Sequence, residues 1–173
     1  MNIFLIGYMG SGKSKTGEAL ARALQYRFLD TDQLIQEETG KSIRELFNAP
    51  GPEAFRLMEK NIIRKLTEAS DQVISTGGGL PCYFDNMEWM NDHGITVYLE
   101  ANAGLLFHRL VRNRSGRPLI ENISDVELME QIQNHLVDRV PVYDRARVKV
   151  SAANLDIKLL TEKIKTLISP KSA

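Results

Sequence analysis

Two short segments carry most of the candidate chemistry. The first, Gly7-Tyr8-Met9-Gly10-Ser11-Gly12-Lys13-Ser14, follows the pattern G-x-x-x-x-G-K-[ST]. Its glycines let the backbone curl so that successive N–H groups point inward at phosphate oxygens. A helix opening at Lys13 would add the partial positive charge of its amino end. Lys13 is then set to reach the β- and γ-phosphates, and the Ser14 hydroxyl to ligate Mg²⁺. The second segment is Asp30-Thr31-Asp32. Carboxylates beside a strand terminus sit at the carboxyl edge of a sheet, where open α/β folds carry their ligands. One of the pair can hold Mg²⁺ through water while the other accepts a proton from a substrate hydroxyl. Asp32 could equally cap the helix that follows, but the phosphate loop tips the reading toward chemistry.

Both segments need a sheet edge to stand on, and the hydrophobic pattern supplies one. Ile3-Phe4-Leu5-Ile6 is a continuous apolar run that ends at Gly7, the signature of a buried strand. Gly17, Leu20, Ala21 and Leu24 then recur at helical spacing. Further strands are predicted at Tyr26–Leu29, Val73–Ser75, Ile95–Leu99 and Val148–Val150. Capping boxes at Ser42-Ile43-Arg44-Glu45 and Ser124-Asp125-Val126-Glu127 predict helices from Ile43 and from Ser124 to about Asp138. Phe55, Met58, Ile62 and Leu66 mark one face of a longer helix. Another is expected from about Gly104 to Val111, and Ile157, Leu160, Ile164 and Leu167 form a closing one. Strands alternating with helices imply an α/β fold of three α/β/α layers around a five-stranded parallel sheet.

Composition narrows the classes. The 173 residues carry 22 Lys+Arg against 22 Asp+Glu, with 43% apolar residues, as in an ordinary single globular domain. A net charge of zero argues against a nucleic-acid surface. No stretch approaches the ~20 apolar residues of a membrane span, and no leader pattern opens the chain. The lone Cys82 cannot pair within the chain, so a reducing cytoplasm is expected. His93, His108 and His135 follow no metal-ligand spacing and read as surface or packing residues. A GTP switch would need an N-K-x-D segment, and none exists. A motor ATPase would need an acid ending the third strand, which instead runs into Ser75-Thr76-Gly77-Gly78-Gly79.

In this context the sequence resembles the shikimate kinase family, P-loop small-molecule kinases related to the nucleoside monophosphate kinases. The resemblance runs from Ile3 to about Ile168. It is carried in order by Gly7–Ser14, Asp30-Thr31-Asp32, Phe55-Arg56 with Glu59, Gly77-Gly78-Gly79, Arg117-Pro118-Leu119 and Arg139-Val140-Pro141-Val142-Tyr143. It implies ATP-dependent phosphorylation of the 3-hydroxyl of shikimate, with Mg²⁺, in chorismate and aromatic amino acid biosynthesis. Gly10, Ser11, Gly12, Lys13, Ser14, Lys15, Arg112 and Arg117 would bind nucleotide. Asp32, Arg56, Gly77, Gly78, Gly79 and Arg139 would bind shikimate, and Ser14 with Asp30 would support the metal. Lys13, Asp32 and Arg117 are the expected catalytic groups.

A planar guanidinium suits the shikimate carboxylate, and Glu59, at i+3, can hold Arg56 in place. A single domain over residues 1–173 is expected, with an acceptor-binding helical segment at about 32–60 and a lid at about 112–123. That lid would close Arg117 over the phosphates. Arg109 or Arg112 would stack on adenine, and the spacing does not choose between them. A monomer that binds ATP or ADP and a small anionic polyol, without nucleic acid or membrane, is expected.

Three departures stand out. Lys15 replaces the family's usual small hydroxyl residue, Pro52 its usual Glu, and Ser151-Ala152-Ala153-Asn154 its adenine-side charged residues. Alternative readings are a kinase for another small acceptor such as gluconate or a nucleotide, and a non-catalytic nucleotide-binding module. The intact Lys13, Ser14, Asp30 and Asp32 weigh against the latter.

Overall fold

The computed structural model describes residues 1–114, 120 and 123–169. Five strands, β1 (Asn2–Ile6), β2 (Arg27–Asp30), β3 (Gln72–Ser75), β4 (Gly94–Glu100) and β5 (Val148–Ser151), form one parallel sheet in the order β2-β3-β1-β4-β5. Among the described residues eight α-helices connect and flank them: α1 (Lys13–Leu24), α2 (Thr31–Thr39), α3 (Ile43–Asn48), α4 (Pro52–Leu66), α5 (Asn86–His93), α6 (Ala103–Arg112), α7 (Asp125–Tyr143) and α8 (Ile157–Ile168).

β1, β3 and all of β4 but Glu100 are buried because both faces are covered, whereas the edge strands β2 and β5 carry the exposed Arg27 and Lys149. On β1, Ile3 and Leu5 point into one core with Leu20, Leu106, Leu128 and Ile164. Phe4 and Ile6 point into the other with Ile63, Leu80, Met87 and Tyr143. Period-two alternation thus divides one continuous run between two layers. A third cluster of Ile35, Leu46, Phe55 and Ile62 packs α2, α3 and α4 together.

The expected capping boxes are present: Ser42 and Ser124 each accept from the backbone N–H three residues on, and Glu45 and Glu127 reach back. Pro52 occupies the first turn of α4, where its missing N–H costs nothing. α7 differs from expectation by continuing through Pro141 to Tyr143. Proline at 141 leaves the Val137 carbonyl without its usual i+4 donor. Val137 is 74% exposed, so water can serve that carbonyl and the helix need not end. The chain also forms a 3₁₀ turn at Leu80–Cys82 and the helix α5, neither of which the periodicity announced.

One close approach fixes α1 against β2. A Cβ on Gly17 would lie 2.4 Å from Phe28 Cε2 and 3.2 Å from Leu5 Cδ1. Gly17→Ala gains about 1 kcal/mol of helix propensity, but a Cβ 2.4 Å from a ring carbon forces overpacking in the upper part of the usual range, about 2–3 kcal/mol. Thermal unfolding of this variant is expected to fall by about 2–6 °C, with recovery in Gly17→Ala/Phe28→Leu. An unchanged or raised Tm for the single variant would contradict the packing described.

Candidate active site

At the carboxyl ends of β1, β2 and β3 lies a cavity of about 770 Å³, within the size range of small-ligand sites. The loop between β1 and α1 forms its floor. Gly10 (φ +82°) and Gly12 (φ +101°) take left-handed conformations that let the loop curl, and Gly12 leads into α1 with no side-chain cap on the amino end. Lys13 folds back across the loop, donating from Nζ to the carbonyls of Gly7 (2.7 Å) and Tyr8 (3.0 Å). The buried Ser11 Oγ has no hydrogen-bond partner among the described residues. Lys15 lines the cavity with an exposed side chain.

Ser14 Oγ donates to Asp30 Oδ2 at 3.0 Å. The other oxygen of Asp30 accepts from the N–H groups of Asp32 and Gln33 and so caps α2. The helix cap is therefore Asp30 rather than Asp32, which leaves the Asp32 side chain available to the cavity it lines.

Of the two arginines left open by the sequence, Arg109 lines the cavity. Its guanidinium donates to the carbonyls of Gly10 (3.2 Å), Ser11 (2.9 Å) and Ala152 (2.8 Å), tying the phosphate loop to the segment after β5. Arg112 is exposed at the end of α6 and does not line it. Ala152, Ala153, Leu155 and Ile157 give this end small apolar walls. Arg117 and most of the expected lid lie outside the described residues.

The opposite end gathers charge around bare backbone. Asp32 Oδ1 is buried and has no hydrogen-bond partner among the described residues. Burial, helped by the neighbouring Asp30 charge, pushes its carboxyl up to about 6, with Lys13 and Arg56 pulling the other way. Glu59 is 1% exposed and accepts from Arg56 Nη1. Burial raises its carboxyl to about 7 against the pull of Arg56. The Arg56 guanidinium lies 4.2 Å from the Tyr83 ring centroid and 5.3 Å from that of Phe47, an aromatic setting suited to a cation.

The glycine triplet is what lets these groups meet. A Cβ on Gly77 would stand 2.6 Å from Glu59 Oε1 and 2.7 Å from Asp32 Oδ1, and one on Gly79 2.7 Å from Arg56 Nη1. The Gly77 N–H is held by Thr31 Oγ1 (2.9 Å), and the Tyr143 hydroxyl donates to the Gly78 carbonyl. Gly78 lines the cavity, and a Cβ there would lie 3.7 Å from Arg139 Nη1. Arg139 makes no ion pair with the described residues and lies over the Tyr8 ring.

Lys13, Ser14, Asp30, Asp32 and Gly78 thus share one cavity, with Gly77, Gly79, Arg56 and Arg139 packed beside its acidic end. Sequence reasoning did not foresee the roles of Thr31, Tyr83 and His135, the last of which bonds to Tyr8. The arrangement can place an anion-bearing alcohol between two guanidinium groups and a carboxylate, facing a triphosphate.

Comparison with known proteins agrees with this chemistry. A family model described as shikimate kinase matches residues 9–168. The shikimate kinase of Phocaeicola vulgatus is 45% identical over 156 residues, covering 90% of this chain and 89% of its own. The crystal structure of the Bacteroides thetaiotaomicron shikimate kinase superposes with a TM-score of 0.90 at 39% identity, covering 98% of each chain. The solved structure of the Acinetobacter baumannii shikimate kinase in complex with shikimate gives a TM-score of 0.86 at 33% identity, covering 99% of this chain and 95% of that one. A phosphate loop facing an aspartate and two arginines, in a chain matched over nearly its whole length, places this protein in the shikimate kinase family of alcohol-group phosphotransferases.

Proposed function

We propose that the chain transfers the γ-phosphoryl group of ATP to the 3-hydroxyl of shikimate, giving ADP and shikimate 3-phosphate. The observation that carries this reading is the buried, unpartnered Asp32 oxygen at the cavity that the phosphate loop floors, with Arg56 and Arg139 beside it. Shikimate has a carboxylate for the guanidinium groups and hydroxyls for the carboxylate and the glycine backbone. Arg56 is held by Glu59, while Arg139, hydrogen-bonded to Tyr143 and in no ion pair among the described residues, is the guanidinium left to take the substrate carboxylate.

Asp32 orients the acceptor hydroxyl and receives its proton as the new O–P bond forms and the bond to the β-phosphate oxygen breaks. The transition state is loose, so orientation and charge stabilisation outweigh base strength. Lys13 and the loop N–H groups hold the developing negative charge. Arg109, anchored on three carbonyls, presents a guanidinium plane to the base. Arg117 would complete the cover of the phosphates.

The Ser14 hydroxyl and the Asp30 carboxylate are adjacent hard oxygen donors, which fits Mg²⁺ completed by water and phosphate. Among the described residues no cluster of three His, Cys, Asp or Glu offers a fuller cage. When bound, the ion neutralises charge on the β- and γ-phosphates.

ADP release measured across a panel of acceptors tests the reading. Turnover with shikimate and none with gluconate or nucleoside monophosphates is expected; brisk turnover with gluconate and none with shikimate would overturn it.

Asp32→Asn should lower kcat by about 10²–10⁴-fold while the Kd for ATP is retained; an equal loss of ATP affinity would contradict the assignment. The same variant makes a stability prediction. The native carboxyl titrates near 6, above its ordinary value of 3.8, so the native state binds more protons than the unfolded state in that window. Wild-type stability therefore carries a penalty that grows as pH rises through the window and is full above it. The Asn variant lacks this penalty. Its Tm relative to wild type should be about 5–10 °C higher at pH 8 than at pH 4. A pH-independent difference would show that Asp32 is not buried as described.

A further inference from the structure

One contact joins the phosphate loop to α7 and takes no part in the transfer itself. Tyr8, the second residue of the loop, is 2% exposed. Its hydroxyl is hydrogen-bonded to His135 Nδ1 at 2.9 Å, a contact spanning 127 residues of sequence. One helical turn along, the Arg139 guanidinium lies 5.3 Å from the Tyr8 ring centroid. The Tyr8 carbonyl meanwhile accepts from Lys13. Tyr8 therefore meets His135 through its hydroxyl, Arg139 through its ring and Lys13 through its backbone.

Burial and the nearby Arg139 charge hold the His135 imidazole below its ordinary pKa, and burial raises the Tyr8 phenol above its own. Both stay neutral near pH 7, so no second cation competes with Arg139 for the ring. A long, flexible arginine that waits for a ligand loses side-chain freedom on binding, and a rigid platform removes that freedom beforehand.

We infer that the Tyr8–His135 hydrogen bond is a positioning device for the acceptor. It fixes the Tyr8 ring as the platform on which Arg139 lies ready for the substrate carboxylate. Tyr8 and His135 act through Arg139, and neither is assigned a contact with the transferred group. This rests on the reading of shikimate as acceptor, because that reading gives Arg139 its carboxylate.

The test is steady-state kinetics of Tyr8→Phe, His135→Leu and His135→Asn, each also in an Arg139→Ala background, with Tm recorded for every variant. Tyr8→Phe and His135→Leu are expected to raise the KM for shikimate about 3- to 10-fold, with kcat and the KM for ATP changing by less than about twofold. His135→Asn, whose amide lies near the position of Nδ1, should recover most of the loss. In the Arg139→Ala background Tyr8→Phe should add nothing, because the group it positions is gone. An unchanged KM for shikimate in Tyr8→Phe would overturn the inference. So would an equal rise in the KM for ATP, or the same rise persisting without Arg139. Wild-type turnover separates the two claims. Shikimate turnover with a silent Tyr8→Phe removes the positioning role alone, whereas no wild-type turnover removes the acceptor reading and this role with it.

Discussion

The site depends on a steric constraint: Gly77 and Gly79, the two residues flanking Gly78 after β3, must have no side chain. Asp32, Glu59 and Arg56 approach the Gly77 and Gly79 backbone so closely that methyl groups there would lie within 2.6–2.7 Å of their charged atoms. Removing Cβ lets groups from α2 and α4 converge on the end of a strand. That convergence buries two carboxylates and raises both pKa values. The Glu59–Arg56 pair is then best understood as an orienting contact. A buried ion pair is weak evidence for stability, whereas removing one partner strands a buried charge and costs about 3–5 kcal/mol.

The sheet order explains why nucleotide and acceptor sides share one cavity. β1 lies between β3 and β4, so the chain leaves it toward β2 and later passes to the other side for β4 and β5. The crevice outside the carboxyl ends of the strands receives the loop from β1, the acids from β2 and the glycines from β3. Helices α6 and α7 close the remaining side. Arg109 ties one to the loop backbone, and the Tyr143 hydroxyl ties the other to Gly78. Residues distant in sequence are thus held at one edge by strand geometry rather than by local turns.

Much of this was legible in the amino-acid order. The phosphate loop could be read because its function lies in backbone conformation, which glycine spacing controls directly. β1, β3 and β4 were legible as short apolar runs and the edge strands β2 and β5 as short stretches rich in aromatic and β-branched residues, and α3 and α7 announced their starts through capping boxes. The end of α7 was not, since Pro141 ordinarily stops a helix and only the exposure of Val137 shows why it does not. α5 has no side-chain cap and buries only Asn86, Met87 and Met90, too few apolar positions for a period to show. Arg109 and Arg112 are three apart on one helix, and only the carbonyls of Gly10, Ser11 and Ala152 distinguish them. The Tyr8–His135 contact leaves no local signal, because its partners are brought together by the packing of α7 against α6 and the Leu80–Cys82 turn.

The measurement that bears most directly on the central constraint is the kinetics of Gly79→Ala. The added methyl must displace the Arg56 guanidinium but stands apart from the phosphate loop. A rise of about tenfold or more in the KM for shikimate, with the Kd for ATP unchanged, is predicted. A KM for shikimate within about twofold of wild type, in a protein with unaltered Tm, would contradict the claim that bare backbone is what lets the acceptor-binding charges meet.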